Sequence, residues 1–250
     1  MAADSLGAAL LRLPPSWHGF WFDTVDSTQD AARAAAGRGA ADRSLFVADY
    51  QRAGRGRQGR TWFAEPGAAL LMSILFREIS RESDIKPWRF TSLAALSVVE
   101  AIQPLLASGA VAIKWPNDVM LDDRKVAGIL AETRWDGREL QAIVGIGLNV
   151  TASPDMVDAT TLAKHTDGPI DRGDVLLRVI QRLEYWLGQP DRTLHHAWQV
   201  HLWRRGQRLR LHDLGHEEEV VVLSVDPDGT LEVLRADGTR LRTSTGELLA

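Results

Sequence analysis

The chain has 250 residues, 45% of them hydrophobic and 25% charged, with a formal net charge of −4 and no cysteine. That size supports a buried core in one large or two unequal units, and the missing cysteines exclude a disulfide framework and thiolate metal sites. The acidic balance argues against a protein that coats nucleic acid, and no apolar stretch approaches the roughly 20 residues of a membrane span.

The opening MAADSLGAALLRLPPSW has a short apolar patch but no basic leader. No signal peptide is expected, and the cytoplasm is the expected compartment. HGFWFDTVDST reads as a strand ending in a turn, and DSTQDAARAAAG as a helix with Asp26, Ser27 or Thr28 as N-cap and Gly37 as its stop. SLFVADYQ and ALLMSILF are strands; between Pro87 and Gly109, Phe90, Leu93, Ala94, Val98, Ile102 and Leu105 recur at helical spacing. AVAIKW is a strand, VMLDDRKVAGILAET a hairpin turning at Asp122–Arg124, and LQAIVGIGLNV continues the meander after a WDGRE turn. DRGDVLLRVIQRLEYWLG is an amphipathic helix with Val175, Leu176, Val179, Ile180, Leu183 and Leu187 on one face, and TLHHAWQVHLW the last helix. From Arg204 the texture becomes short alternating strands with two DGT turns, which predicts a small β-barrel docked on the rest. The expected fold is α+β: a mixed, largely antiparallel sheet with helices over 1–203, then the small barrel over 204–250.

QRAGRGRQGR, residues 51–60, holds four arginines and three glycines between two apolar strands. GRGRQG satisfies a dinucleotide-binding pattern, and GRGRQGRT a phosphate-loop pattern except that Arg60 replaces its lysine. Both mechanisms need a helix opening at the last glycine. Pro66 and Gly67 forbid one here, so the context is strand–loop–strand. A solvated surface loop has this composition too, but glycine-spaced arginines can wrap an anion with backbone and guanidinium donors.

In KWPND (114–118), Asn117 and Asp118 stand at a strand end after Trp115-Pro116. Lys125 opens the next strand, and Gly128 lets a ligand approach it closely. In GIGLN (145–149) the glycines point to another close approach or to a β-bulge, with Asn149 beside them. His195, His196, His201, His212 and His216 lack metal-ligand spacing, so no zinc site is expected.

Taken in order, DSTQ, YQRAGRGRQGRTWF, KWPNDVMLDDRKVAGIL and GIGLNV resemble the catalytic domain of biotin protein ligases. The resemblance runs from about residue 20 to the end, and the terminal β segment looks like that family's SH3-like C-terminal domain. It implies that Ser27, Thr28, Gln29 and Gln51 sit in a biotin pocket with Gly128, and that Arg55, Gly56 and Arg57 lie in the biotin- and phosphate-binding loop. By the same resemblance Lys125 meets the biotin carboxyl end and the α-phosphate, making Lys125 and Arg57 the catalytic pair. Trp62, Asn117 and Asn149 fall on the nucleotide side, with Asp118 a candidate Mg2+ ligand. Gln29 stands where the family usually has Asn; the longer amide can still hydrogen-bond.

The activity implied is formation of biotinyl-5′-AMP from biotin and Mg-ATP, then transfer of biotin to a lysine of a biotin carboxyl carrier domain. The 19 residues before Phe20 are too few for the DNA-binding helix-turn-helix some members carry, so no DNA partner is expected. No membrane partner is expected, and a homodimer is left open. Lipoate or octanoate transfer on the same fold is the neighbouring alternative. A nucleic-acid-binding module and a non-catalytic biotin sensor are alternatives of another class.

Overall fold

The computed structural model describes residues 5–78, 87–135, 139–152 and 158–250. A seven-stranded mixed sheet forms its centre: β1 (His18–Val25), β2 (Ser44–Gln51), β3 (Ala69–Glu78), β4 (Val111–Lys114), β5 (Asp118–Leu121), β6 (Arg124–Trp135) and β7 (Leu140–Asn149), in spatial order β1-β2-β3-β7-β6-β5-β4. Only β1 and β2 are parallel, and the helix α2 (Thr28–Gly37) links them. The remaining pairs are antiparallel, as short connections allow.

Side chains alternate across this sheet and bury two different faces. On β7, Ala142, Val144, Ile146 and Leu148 join the main core with α3 (Pro87–Ile102) and α4 (Arg172–Leu187). Ile143 points the other way, with Phe46 and Leu75, against Ala32, Ala35 and Ala36 of α2. Gly145, Gly147 and Asn149 follow Ile143 on that second face by the same period. Alanines on α2 let it lie close, and Ser27 caps it by accepting from Gln29 N at 3.2 Å. The helix runs through Gly37; the left-handed residue that turns the chain away is Gly39, with φ +82°.

Three elements differ from expectation. Ser5–Leu10 form a short helix, α1, whose Leu6 and Ala9 are buried in the core. The last helix, α5, spans Asp191–Val200, earlier than the predicted 193–203. On α4 the buried stripe ends on Trp186, and Leu187 is only half-buried. The hairpin turns at Asp122 and Asp123, both left-handed at φ 48° and 62°, the pair that a two-residue turn of matching twist requires. The WDGRE turn falls on residues 136–138, outside those described.

The second sheet is antiparallel: β8 (Arg208–Asp213), β9 (His216–Val225), β10 (Leu231–Arg235), β11 (Arg240–Thr243) and β12 (Glu247–Leu249), ordered β11-β10-β9-β8-β12. Among the described residues no pairing joins β11 to β12, so the expected closed barrel is an open sheet by its hydrogen bonds. It docks as expected. Trp115 Nε1 donates to Gly229 O at 2.9 Å in a buried contact, and Trp88 packs so closely on Gly229 that a Cβ there would lie 2.5 Å from the ring.

Candidate active site

The second face of the large sheet and the edge of the small one enclose a cavity of about 550 Å³. Every residue singled out from the sequence lines it: Ser27, Thr28, Gln29, Gln51, Arg55, Gly56, Arg57, Trp62, Asn117, Asp118, Lys125, Gly128 and Asn149.

One end is a floor of hydroxyls and amides. Ser27, Thr28 and Gln29 are buried at the start of α2, and Ser73, the polar member of ALLMSILF, faces them from β3. Gln51 Oε1 accepts from Thr28 N at 2.7 Å and lies 2.9 Å from Thr28 Oγ1. Thr28 Oγ1 is 2.8 Å from Ser73 Oγ, which is 3.1 Å from Gln29 Oε1. The two hydroxyls supply two protons for these three oxygen–oxygen contacts, so acceptors outnumber protons within this group.

The other end carries the cations. Of the four loop arginines, three meet carboxylates: Arg52 with Asp26 at 2.8 Å, Arg55 with Asp30 at 3.3 Å and Arg60 with Glu247 at 2.8 Å. Arg57 instead donates to the neutral Asn117 Oδ1 at 3.0 Å. Burial, the strongest influence on it, holds its guanidinium below its ordinary pKa, with Arg60 adding in the same sense against Asp118 and Glu247. A half-buried cation without a bonded carboxylate is stabilised by an arriving anion. Asn117 is itself fixed, its Nδ2 donating to Ile129 O at 2.8 Å, so it orients Arg57.

Lys125 reaches the cavity through a bulge. Val119 pairs with Ala127 but Met120 with Lys125, so the register skips Val126. Strict alternation would put Lys125 on the same face as Ala127 and Ile129, in the core; the extra residue turns it to the side of Gly128. Lys125 Nζ lies 2.7 Å from Asp118 Oδ1. The contact is a charge pair without the alignment of a hydrogen bond, since the buried Asp118 Oδ1 has no hydrogen-bond partner.

The strand glycines line the cavity and lie under the protein's own side chains. A Cβ on Gly147 would sit 2.4 Å from the Trp62 ring, and one on Gly128 3.0 Å from it. On Gly145 it would sit 2.7 Å from Gln29 Oε1. The β3–β7 register is continuous through these glycines, so there is no bulge in GIGLN. Lys125 Nζ stands 5.6 Å from the Trp62 ring centre, within cation–π range. Trp62 Nε1 and Asn149 Oδ1 are buried without hydrogen-bond partners among the described residues, while Asn149 Nδ2 donates to Thr160 O at 3.1 Å.

Sequence reasoning missed Ser73, Lys114 and the contribution of the small sheet. Arg210, Gly246, Glu247, Leu249 and Ala250 all line the cavity. Glu247 also approaches Lys114 at 3.8 Å. A polar residue inside an otherwise apolar strand was the available signal for Ser73. Among the described residues no cluster of three or more metal-ligating side chains exists. Asp118 alone fits a metal carried mainly by phosphate oxygens.

The biotin/lipoate A/B protein ligase family model matches residues 21–149. The chain is 33% identical over 227 residues to a biotin–acetyl-CoA-carboxylase ligase of Mycobacterium tuberculosis, covering 87% of this chain and 82% of that one. It is 31% identical over 235 residues to the bifunctional ligase/repressor BirA of Bacillus subtilis, covering 89% and 71%. The fold superposes on the biotin protein ligase of Aquifex aeolicus in complex with biotin and ATP, with a TM-score of 0.76 and 27% identity over 92% of this chain and 97% of that one.

Proposed function

The chain belongs to the biotin/lipoate A/B protein ligase family, and from that premise we propose that it is an ATP-dependent biotin–protein ligase. It joins biotin to AMP, releasing pyrophosphate, and then passes the biotinyl group to a protein lysine. The observation that carries the choice of biotin is the acceptor-rich floor. Ser73, Thr28 and Gln29 Oε1 leave lone pairs for incoming N–H groups, and the ureido ring of biotin brings two. The dithiolane of lipoate brings none and would leave buried acceptors unpaired.

At the opposite end the biotin carboxylate and the α-phosphate, both anionic, must meet. A carboxylate oxygen attacks the α-phosphorus as its bond to pyrophosphate breaks. Arg57 and Lys125 are fixed cations at that point, and loss of one such donor costs about 3–4 kcal/mol of transition-state stabilisation. Asp118 would be the side-chain ligand of the Mg2+ carried by the ATP phosphates, which would offset their charge. Trp62, Asn117 and Asn149 lie on the nucleotide side, where the unpartnered Trp62 Nε1 and Asn149 Oδ1 offer one donor and one acceptor. In the second step an acceptor lysine amine attacks the acyl carbon and AMP leaves. Cover by the arginine loop keeps water from the mixed anhydride until then.

We read residues 1–203 as the catalytic domain and 204–250 as an SH3-like C-terminal domain. The change from the seven-stranded to the five-stranded sheet supports that division. The acceptor is read as a biotin carboxyl carrier domain and the compartment as the cytoplasm; among the described residues no helix is long and apolar enough to cross a membrane. Pyrophosphate exchange into ATP tests the reading. Exchange should require biotin and Mg2+, and lipoate should not replace biotin. Biotin binding without exchange would leave a sensor, and equal exchange with lipoate would move the protein to the neighbouring activity.

A further inference from the structure

Gln29 reaches farther than its place in the floor requires. Its Nε2 faces three oxygens: Glu132 Oε2 at 2.9 Å, Ile143 O at 3.1 Å and Leu130 O at 3.4 Å. Its Oε1 accepts from Ser73 Oγ at 3.1 Å. Turning the amide over would press its oxygen against a carboxylate and two carbonyls, so the orientation is fixed by its surroundings. The bare Cα of Gly145 makes room for it.

Glu132 lies beyond the cavity, toward the C-terminal end of β6. Its carboxylate is held from the far side by Arg33 Nη2 at 2.5 Å. Arg33 also pairs with Asp30, and Asp30 is the partner of Arg55 in the glycine–arginine loop. A ladder of alternating charge therefore runs from the loop along α2 to the back of the floor.

Resting on the biotin reading above, we propose that Glu132 is a positioning residue for substrate specificity: it fixes the amide of Gln29 so that oxygen, not nitrogen, serves the floor. The carboxylate takes one of the two N–H groups of Gln29 and the Ile143 carbonyl takes the other. Nothing of Gln29 then remains to donate into the cavity, and its oxygen is left to receive an N–H that the ligand brings. With a glutamine at position 132 the neighbouring amide could present its own NH2, Gln29 could turn over, and the floor would lose an acceptor.

The test is a double-mutant cycle on biotin affinity, read by titration calorimetry on the full chain. Glu132→Gln should weaken biotin about ten-fold, the change expected when one hydrogen bond is misdirected. At saturating biotin, exchange turnover and the KM for ATP should stay within about two-fold, because the loss is confined to biotin binding. In a Gln29→Ala background the same substitution should change nothing further, since the group it acts through is gone. A purely structural effect would persist there. Arg33→Gln, which leaves Glu132 in place but unheld, should give a smaller loss that also vanishes in that background, and it carries the test if Glu132→Gln folds poorly. Unchanged biotin affinity in folded variants, or equal losses in both backgrounds, overturns the role of Glu132 alone. A native chain that neither binds biotin nor exchanges pyrophosphate overturns the ligase reading and this inference together.

Discussion

Arg57 rests on Asn117: its Nη1 donates to the amide oxygen at 3.0 Å, while the other three arginines of its loop sit against carboxylates. The loop therefore separates its tasks by partner. Arg52, Arg55 and Arg60 pair with Asp26, Asp30 and Glu247, while the guanidinium of Arg57 meets a neutral amide. Arg57→Gly should fold and bind biotin but lower adenylate formation about a hundred-fold, as loss of one charged donor does. Pyrophosphate exchange checks this, and exchange at the native rate would remove Arg57 from the chemistry.

Lys125→Ala should lower exchange by about a hundred-fold or more. Lys125→Arg should recover only part of it, since the planar fork of arginine differs from a point charge beside Asp118. Single-turnover adenylate formation separates the two variants.

Gly147→Ala places a methyl group where the Trp62 ring lies, 2.4 Å away by geometry. The indole must move, with an overpacking cost of about 1–3 kcal/mol and a red shift in tryptophan emission. Gly168→Ala, outside helix and strand, is the control, because a Cβ there meets nothing within 4 Å. If both variants unfold at the same denaturant concentration as the native chain, the packing of Trp62 on β7 is wrong.

Trypsin should cut the ligand-free loop first at Arg52 or Arg60, whose side chains are 60% and 63% exposed, since cleavage samples exposed, locally opening backbone. Biotin with ATP should slow the cut more than biotin alone, because the adenylate adds a phosphate for Arg57. A loop that resists equally with and without ligands is a preformed cradle.

The Arg60–Glu247 pair should give stability a weak acid dependence. Burial raises the Glu247 carboxyl, but the hydrogen bond and charge of Arg60, with Lys114 and Lys125, outweigh it and leave the pKa below its ordinary 4.5. A depressed carboxyl contributes stability above its unfolded pKa and loses it as pH falls through the folded value. Glu247→Gln should therefore cost about 0.2–1 kcal/mol at neutral pH, as expected for an exposed pair, and nothing once both states are protonated. Denaturant melts at pH 7 and pH 3 check the sign; a larger loss at pH 3 would reverse it.

Much of this arrangement was legible because it is local. The N-cap of α2, the paired aspartates of the hairpin and the largely apolar runs of β2 and β3 are decided by neighbours in sequence. The candidate site residues came from motif resemblance, and all of them line one cavity. What escaped depends on pairing across the chain. The skipped Val126 that turns Lys125 toward the cavity appears only in the β5–β6 register. The glycines at 128 and 147 announced a close approach, but not that Trp62 makes it. Glu132 read as an ordinary strand residue, because its partner Gln29 lies 103 positions away.

One wall of the cavity comes from Gly246, Glu247, Leu249 and Ala250, residues that leave the ribosome after all the chemistry-bearing ones. Until they have emerged, the cavity lacks both that wall and the carboxylate that Arg60 meets, so a chain stopped near residue 240 should leave the cavity open on that side and its arginine loop one anchor short.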